Sequence, residues 1–240
     1  MILKNSLFLS FLSIFIYLNG SAQVVSKENV LEQGLNFIKA GKLKEAIGAF
    51  KQSIHYEGEN PPVLFYLGNA YFDQSHFDSA HYFFLRVLKL EPNHKGALFN
   101  SANVLVQMNK SKESLPFYSQ LIEMDAFAME SYFGRAKVHA QLGNSKLALS
   151  DFENTIKLNP SNDRAYFEIG NLYFGLSDFQ NAVEAYDKAI KVNPVQSHYY
   201  FNRAIAEYNL GYKEDACADF LNAKDLGDSE AEAYSNELCH

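Results

Sequence analysis

Small, aromatic and branched apolar residues return along this chain at a fixed interval. With unit starts at residues 27, 61, 95, 129, 163 and 197, each start lies 34 residues after the last, and no insertion interrupts the series. The eighth position reads Gly34, Gly68, Ala102, Ala136, Gly170 and Ala204, never larger than alanine. The twentieth reads Ala46, Ala80, Ser114, Ala148, Ala182 and Ala216. The twenty-fourth is aromatic throughout: Phe50, Phe84, Tyr118, Phe152, Tyr186 and Phe220. The twenty-eighth is Ile54, Leu88, Ile122, Ile156 and Ile190 before Lys224 breaks the run, and Pro92, Pro160 and Pro194 share the thirty-second.

This pattern predicts a pair of antiparallel helices in every unit. Small side chains at positions 8 and 20 let the two helices approach at the short end of the usual range of about 8–10 Å. The ring at position 24 fills the space between one unit and the next. The units run 27–60, 61–94, 95–128, 129–162, 163–196 and 197–230. Residues 231–240 (AEAYSNELCH) continue helically with polar residues interleaved, as a solvating cap does.

The period, the small residue at 8, the A-x3-F spacing in the second helix and the proline at the turn together resemble the tetratricopeptide repeat (TPR). The resemblance covers nearly all of the chain beyond residue 26. It implies an all-α fold, an α-α superhelix of six helix-turn-helix repeats and a C-terminal cap helix, with a concave face. Departures are also present. The family's tryptophan at position 4 is replaced by Leu64, Leu98, Tyr132, Tyr166 and Tyr200. The third unit lacks the glycine at 8 and the proline at 32, where Ala126 stands, and Pro116 falls inside its second helix. In the sixth, Glu207 occupies the core position 11.

The family lines its groove with the first helix of each repeat, through positions 2, 5, 9, 12 and 13. Position 5 here is Phe65, Phe99, Phe133, Phe167 and Phe201, and position 9 includes Asn69, Asn103, Lys137 and Asn171. Asn100 and Asn202 stand at position 6. An amide can pair both an N–H and a C=O of an extended peptide, and rings supply apolar area at low entropic cost. The same residues equally suit the stacking of neighbouring repeats, so two readings stand for the phenylalanines. One familiar specialisation is not expected: the clamp for an acidic chaperone C-terminus needs lysine at position 5, where this chain has phenylalanine.

Composition narrows the partner. The formal net charge is -7, which does not suit nucleic acid, so a protein or peptide is the expected partner. No cofactor is expected. No P-loop, GxGxxG, GxSxG or HExxH motif occurs. The two cysteines, Cys217 and Cys239, are too few for a thiolate zinc site. Cys217 stands at position 21, where other units carry Ile47, Leu149 and Val183, and so reads first as a small core hydrophobe. The alternative is a disulfide to Cys239 in an oxidising compartment.

That compartment is what the first residues suggest. Residues 1–22 have Lys4, an apolar stretch from Leu7 to Leu18, and Gly20-Ser21-Ala22 ahead of Gln23, the layout of a secretory signal peptide cleaved after Ala22. The alternative is an uncleaved anchor. The expected location is secreted or periplasmic, with no membrane insertion after cleavage. The expected function is an interaction scaffold whose groove grips a partner segment. The alternative is a structural accessory subunit of an envelope enzyme or secretion complex, using its convex or end surfaces.

Overall fold

The computed structural model describes residues 27–239, so the expected signal peptide lies outside the described residues. The chain divides into two compact units, one ending at Glu59 and one beginning at Asn60. In the first, α1 (Lys27–Lys39) packs on α2 (Leu43–Glu57). Their core holds Val30, Ala46, Ala49 and Phe50. A Cβ placed on Gly34 would stand 2.5 Å from the Phe50 ring, so the position-8 glycine is where the ring lies.

The second unit is a run of eleven helices. These are α3 (Pro61–Asp73), α4 (Phe77–Leu90), α5 (Lys95–Gln107), α6 (Ser111–Glu123), α7 (Ala128–Gln141) and α8 (Ser145–Leu158). Then follow α9 (Asp163–Gly175), α10 (Phe179–Val192), α11 (Ser197–Leu210), α12 (Lys213–Asp225) and α13 (Ser229–Leu238). Within this unit consecutive helices pack on one another, from α3 on α4 to α12 on α13, and α5, α7, α9 and α11 also touch one another in series. The first helices of successive repeats therefore form one continuous face. Apart from that face, contacts are local, as in a solenoid.

The position-24 rings knit this unit together. Phe84, Phe152, Tyr186 and Phe220 are fully buried. Phe152 sits with Ala136 and Ala148 of its own repeat and Ala165 of the next. Phe220 does the same with Ala204, Ala216 and Ala231. The expected role of the ring, filling the space between repeats, is what these clusters display.

A regular turn separates the two helices of each repeat. Position 15 has a left-handed backbone at Gly41, Gly143 and Gly211, and also at Ser75, Asn109 and Ser177, whose φ values are 59°, 58° and 59°. The following N–H reaches back to the carbonyl of position 11, as from His76 to Tyr71 and from Lys110 to Leu105. This is the Schellman closure, which needs a left-handed residue past the helix end. Between repeats, position 34 caps the next helix: Asn60, His94 and Asn162 accept the N–H of Val63, Ala97 and Ala165 at 3.0, 3.1 and 3.0 Å.

The junction between α6 and α7 departs from this scheme. It has Ala126 instead of proline and Ala128 instead of a capping side chain. Two residues there, Asp125 (φ 49°) and Phe127 (φ 47°), are left-handed. A left-handed phenylalanine is a costly conformation, and the half-exposed ring of Phe127 rests 5.2 Å from that of Phe99. Helix α6 continues through the exposed Pro116.

The cap begins earlier than residue 231. Asp228 accepts the N–H groups of Glu230 and Ala231, which starts α13 at Ser229 inside the last two positions of the sixth repeat. Lys224, the charge that breaks the apolar run at position 28, pairs with Glu232 of α13 at 3.1 Å. Cys217 is joined to Cys239 by a disulfide with a Cα–Cα distance of 5.6 Å, so its position-21 side chain is a covalent tie and more than a core hydrophobe.

Candidate functional site

The five position-5 phenylalanines are all half-buried. Four of them lean on the position-24 ring of their own repeat: Phe65 on Phe84 at 5.8 Å, Phe133 on Phe152 and Phe167 on Tyr186 at 5.6 Å, and Phe201 on Phe220 at 5.9 Å. Their other side meets the start of the following helix. Phe65 touches His94, Phe167 touches His198 and Tyr199, and Phe201 lies under Tyr234 of the cap. These rings bridge repeats while keeping an edge on the surface of the first helices.

The position-9 amides divide by the ring at position 24. Where that ring is tyrosine, its hydroxyl donates to the asparagine: Tyr118 to Asn103 and Tyr186 to Asn171, both at 2.9 Å. Burial raises both phenols, Tyr118 to about 12, so they stay protonated donors. Where the ring is phenylalanine, Asn69 instead accepts from Asn100 at 2.7 Å, across two repeats. Repeats 4 and 6, also with phenylalanine at 24, carry Lys137 and Ile205 at 9. Asn202 donates to the carbonyl of His198 at 2.7 Å. The amide oxygens of Asn69, Asn103 and Asn171 are thus engaged within the fold, and the Asn171 N–H also donates to Glu168 at 3.4 Å, which leaves the N–H groups of Asn69 and Asn103 as the more available half for a ligand.

Four of the expected groove residues meet in one place. Phe99, Asn103, Phe133 and Lys137 line a cavity of about 350 Å³ where the third and fourth repeats adjoin, with Arg164 of α9 at its edge. The Arg164 guanidinium lies 5.4 Å from the centre of the Phe133 ring. Lys137 is 44% exposed, with Nζ 3.9 Å from a Glu168 oxygen. Phe65, Asn69 and Asn100 lie towards the start of the same face, and Phe167, Asn171, Phe201 and Asn202 towards its end.

A second constellation was not legible from the groove positions. Arg135 forks Asp151 at 2.7 and 2.8 Å and reaches Ser119 at 3.0 Å. Arg203 forks Asp219 at 2.5 and 2.8 Å and also pairs with Asp187. In both cases position 7 binds position 23 of its own repeat and position 25 of the one before. Each guanidinium also lies 5.7 Å from the position-4 tyrosine ring, Tyr132 or Tyr200. The signal in the sequence is the joint appearance of Arg at 7 and Asp at 23 in the fourth and sixth units alone. Position 11 beside each pair is a titratable residue, His139 or Glu207, with a buried atom that has no hydrogen-bond partner.

Glu207 is 8% exposed. Burial first, then repulsion from Asp219, pushes its carboxyl up to about 7 against the pull of Arg203. A carboxyl that holds its proton more tightly when folded stabilises the fold below its unfolded value, and this contribution is lost as pH rises through about 7. The thermal midpoint is expected to fall between pH 5 and 8, and Glu207→Gln to flatten that slope, as scanning calorimetry across the range would measure. An unchanged slope in the variant would remove Glu207 as its cause. Asp163 acts oppositely. Burial alone would raise it, but hydrogen bonds from Asn193 (2.8 Å) and Tyr199 (2.9 Å) outweigh that and hold it below the ordinary range. Its contribution is lost only in acid.

Among the described residues, no group of three or more His, Cys, Asp or Glu side chains is placed to hold a metal ion. No described helix is long and apolar enough to cross a membrane.

Comparison with known proteins places this geometry. A 64-residue stretch is 36% identical to protein O-mannosyl-transferase Tmtc3 of Drosophila melanogaster, covering 27% of this chain and 7% of that protein. Among solved structures, the C-terminal part of a TPR repeat-containing protein from Cytophaga hutchinsonii superposes with a TM-score of 0.73 at 15% identity, covering 86% of this chain and 83% of that one. YrrB, described as a TPR protein with an unusual peptide-binding site, superposes with a TM-score of 0.65 at 18% identity, covering 79% of this chain and 98% of its own. Models described as tetratricopeptide repeat match residues 61–94, 99–163 and 163–194, in the 34-residue register of the helices. With that register, the left-handed turn at position 15 and the buried ring at position 24 all in place, the chain belongs to the tetratricopeptide repeat family.

Proposed function

We propose that this chain is a protein-interaction scaffold that holds a segment of another protein along the face built by α3, α5, α7, α9 and α11. The observation that carries this reading is the cavity among Phe99, Asn103, Phe133 and Lys137, which opens on that face. At about 350 Å³ it falls in the size range of ligand pockets, roughly 300–1,000 Å³. The peptide-binding site named for YrrB, a protein of the same fold, is in keeping with it. The chain is read as secreted or periplasmic and as a binder without catalytic chemistry of its own.

The position-9 amides are poor test positions, because Asn103→Ala or Asn171→Ala would strand a buried tyrosine hydroxyl and lower stability by about 1–3 kcal/mol. Lys137 and Arg164 are exposed and suit the purpose. With Lys137→Ala plus Arg164→Ala used as bait in the source cells, partners captured by the wild type are expected to be lost while the melting temperature is unchanged. Full retention of those partners would move the binding surface elsewhere.

A further inference from the structure

The cavity lies where two positions carry smaller residues than several other repeats do, and position 12 of the fourth repeat, Ala140, is small as well. Position 12 carries a ring at Phe72, Phe174 and Tyr208, but beside the cavity it is Val106. Position 6 is Tyr66, Asn100, Glu168 and Asn202 in the other repeats of this unit, but beside the cavity it is Gly134. A Cβ there would stand 2.6 Å from the Tyr118 ring, so glycine is what lets that ring form part of the wall.

The wall is largely apolar, and two cations stand at the rim. Arg164 and Lys137 stand at the edge, against one carboxylate, Glu130, among the lining residues. Arg164 makes no ion pair among the described residues; its guanidinium lies over the Phe133 ring, 5.4 Å from its centre. The one carboxylate near Lys137, that of Glu168, is 3.9 Å away, a long contact. The lining residues thus carry one more positive than negative charge, in a chain whose net charge is -7. Phe127, in its left-handed conformation and with its ring tilted against that of Phe99, adds an exposed apolar surface next to it.

We propose that this cavity is the specificity pocket of the groove. It takes one bulky apolar side chain (Phe, Leu or Met) from a partner segment that carries Asp or Glu within two residues of it. The apolar group fills the space beside Val106, against the wall that the Tyr118 ring forms, and the carboxylate meets Arg164 and Lys137. This rests on the groove reading above, whose failure the following experiment separates from its own.

A phage-displayed random dodecapeptide library is panned on the immobilised full chain, and enriched peptides are synthesised with a fluorescent label for anisotropy titration. Enriched peptides are expected to share an apolar residue with a nearby acid. Alanine at the apolar residue should weaken binding at least about 10-fold, and amidation of the acid about 5-fold. Val106→Phe introduces a ring that position 12 already accommodates in three other repeats. It should also weaken binding at least about 10-fold without changing the circular-dichroism melt. Arg164→Glu should weaken the acidic peptide and favour its lysine-substituted form.

No enrichment, or enriched peptides that lack an acid, would overturn the proposal. Undiminished binding to Val106→Phe would overturn it together with the groove reading. Loss of binding in Val106→Phe, with indifference to Arg164→Glu and to amidation of the acid, would leave the groove reading standing and defeat the charge assignment.

Discussion

Phe152→Ala is expected to destabilise the second unit by about 3–5 kcal/mol, the range for emptying a fully buried ring site. Phe152 is 0% exposed, and its fully buried neighbours are alanines: Ala136, Ala148 and Ala165. Alanine methyls on rigid helices have no rotamers with which to fill the space, so the cavity closes only as far as Ile156, Ile169 and Leu172 can move into it. The site also joins the fourth repeat to the fifth. In a chain of nearest-neighbour interfaces, a weakened central interface uncouples what lies on either side of it. Urea denaturation should therefore show a lower midpoint and a broader transition, with amide exchange accelerating first in α8 and α9. Phe133→Ala, at the half-buried position 5 of the same repeat, should cost about half as much by the area it removes from water. Equal losses at the two sites would assign the position-5 rings wholly to packing.

The second large effect is expected at Asp219. Asp219→Asn removes the charge that the Arg203 guanidinium grips through two hydrogen bonds, while Asp219 is only 3% exposed. Breaking one partner of a buried pair costs about 3–5 kcal/mol, because the remaining charge stays buried without compensation. Two features of the site moderate this. Arg203 retains Asp187, and its own side chain is 20% exposed. The loss of Asp219 also relieves the repulsion on Glu207, so the Glu207 carboxyl should ionise more readily and take over part of the pairing with Arg203. The net loss is thus expected at the low end of the range at pH 7 and larger at pH 5, where Glu207 is protonated. A loss independent of pH would show that the two carboxyls do not share the guanidinium. Asp151→Asn in the fourth repeat gives the comparison, since His139 replaces the glutamate at position 11 there.

Much of the fold was legible because the physics at each position repeats. A ring at 24 needs a small residue at 8, and six copies of that constraint make the register visible. The cap helix starts at Ser229, ahead of the polar stretch 231–240, because its start is set by Asp228, a capping side chain outside the apolar pattern. The covalent tie between Cys217 and Cys239 depends on where α13 folds back, which no spacing rule contains.

The site was less legible, for a different reason. Reading one position down all six units finds what is regular, whereas the groove's individuality lies in pairs and in gaps. Asn103 and Asn171 stood out as potential ligand contacts, yet their partners Tyr118 and Tyr186 are found only by reading position 9 together with 24. Arg135 with Asp151, and Arg203 with Asp219, emerge only by reading 7 together with 23. The cavity corresponds to the absence of a ring at position 12 in the third and fourth repeats, Val106 and Ala140, and an absence leaves no motif. The third repeat, which departs most from the family pattern, borders this cavity with Phe99, Val106 and Tyr118.

The central claim is that a partner segment lies on the first-helix face at the junction of the third and fourth repeats. Site-specific photocrosslinking in the source cells tests it most directly, with benzoylphenylalanine placed at Lys137 in one strain and at Glu184, an exposed residue of the second-helix α10, in another. Ultraviolet irradiation is expected to yield a discrete heavier adduct from position 137 and none from position 184. Adducts from position 184 with none from 137 would contradict the account.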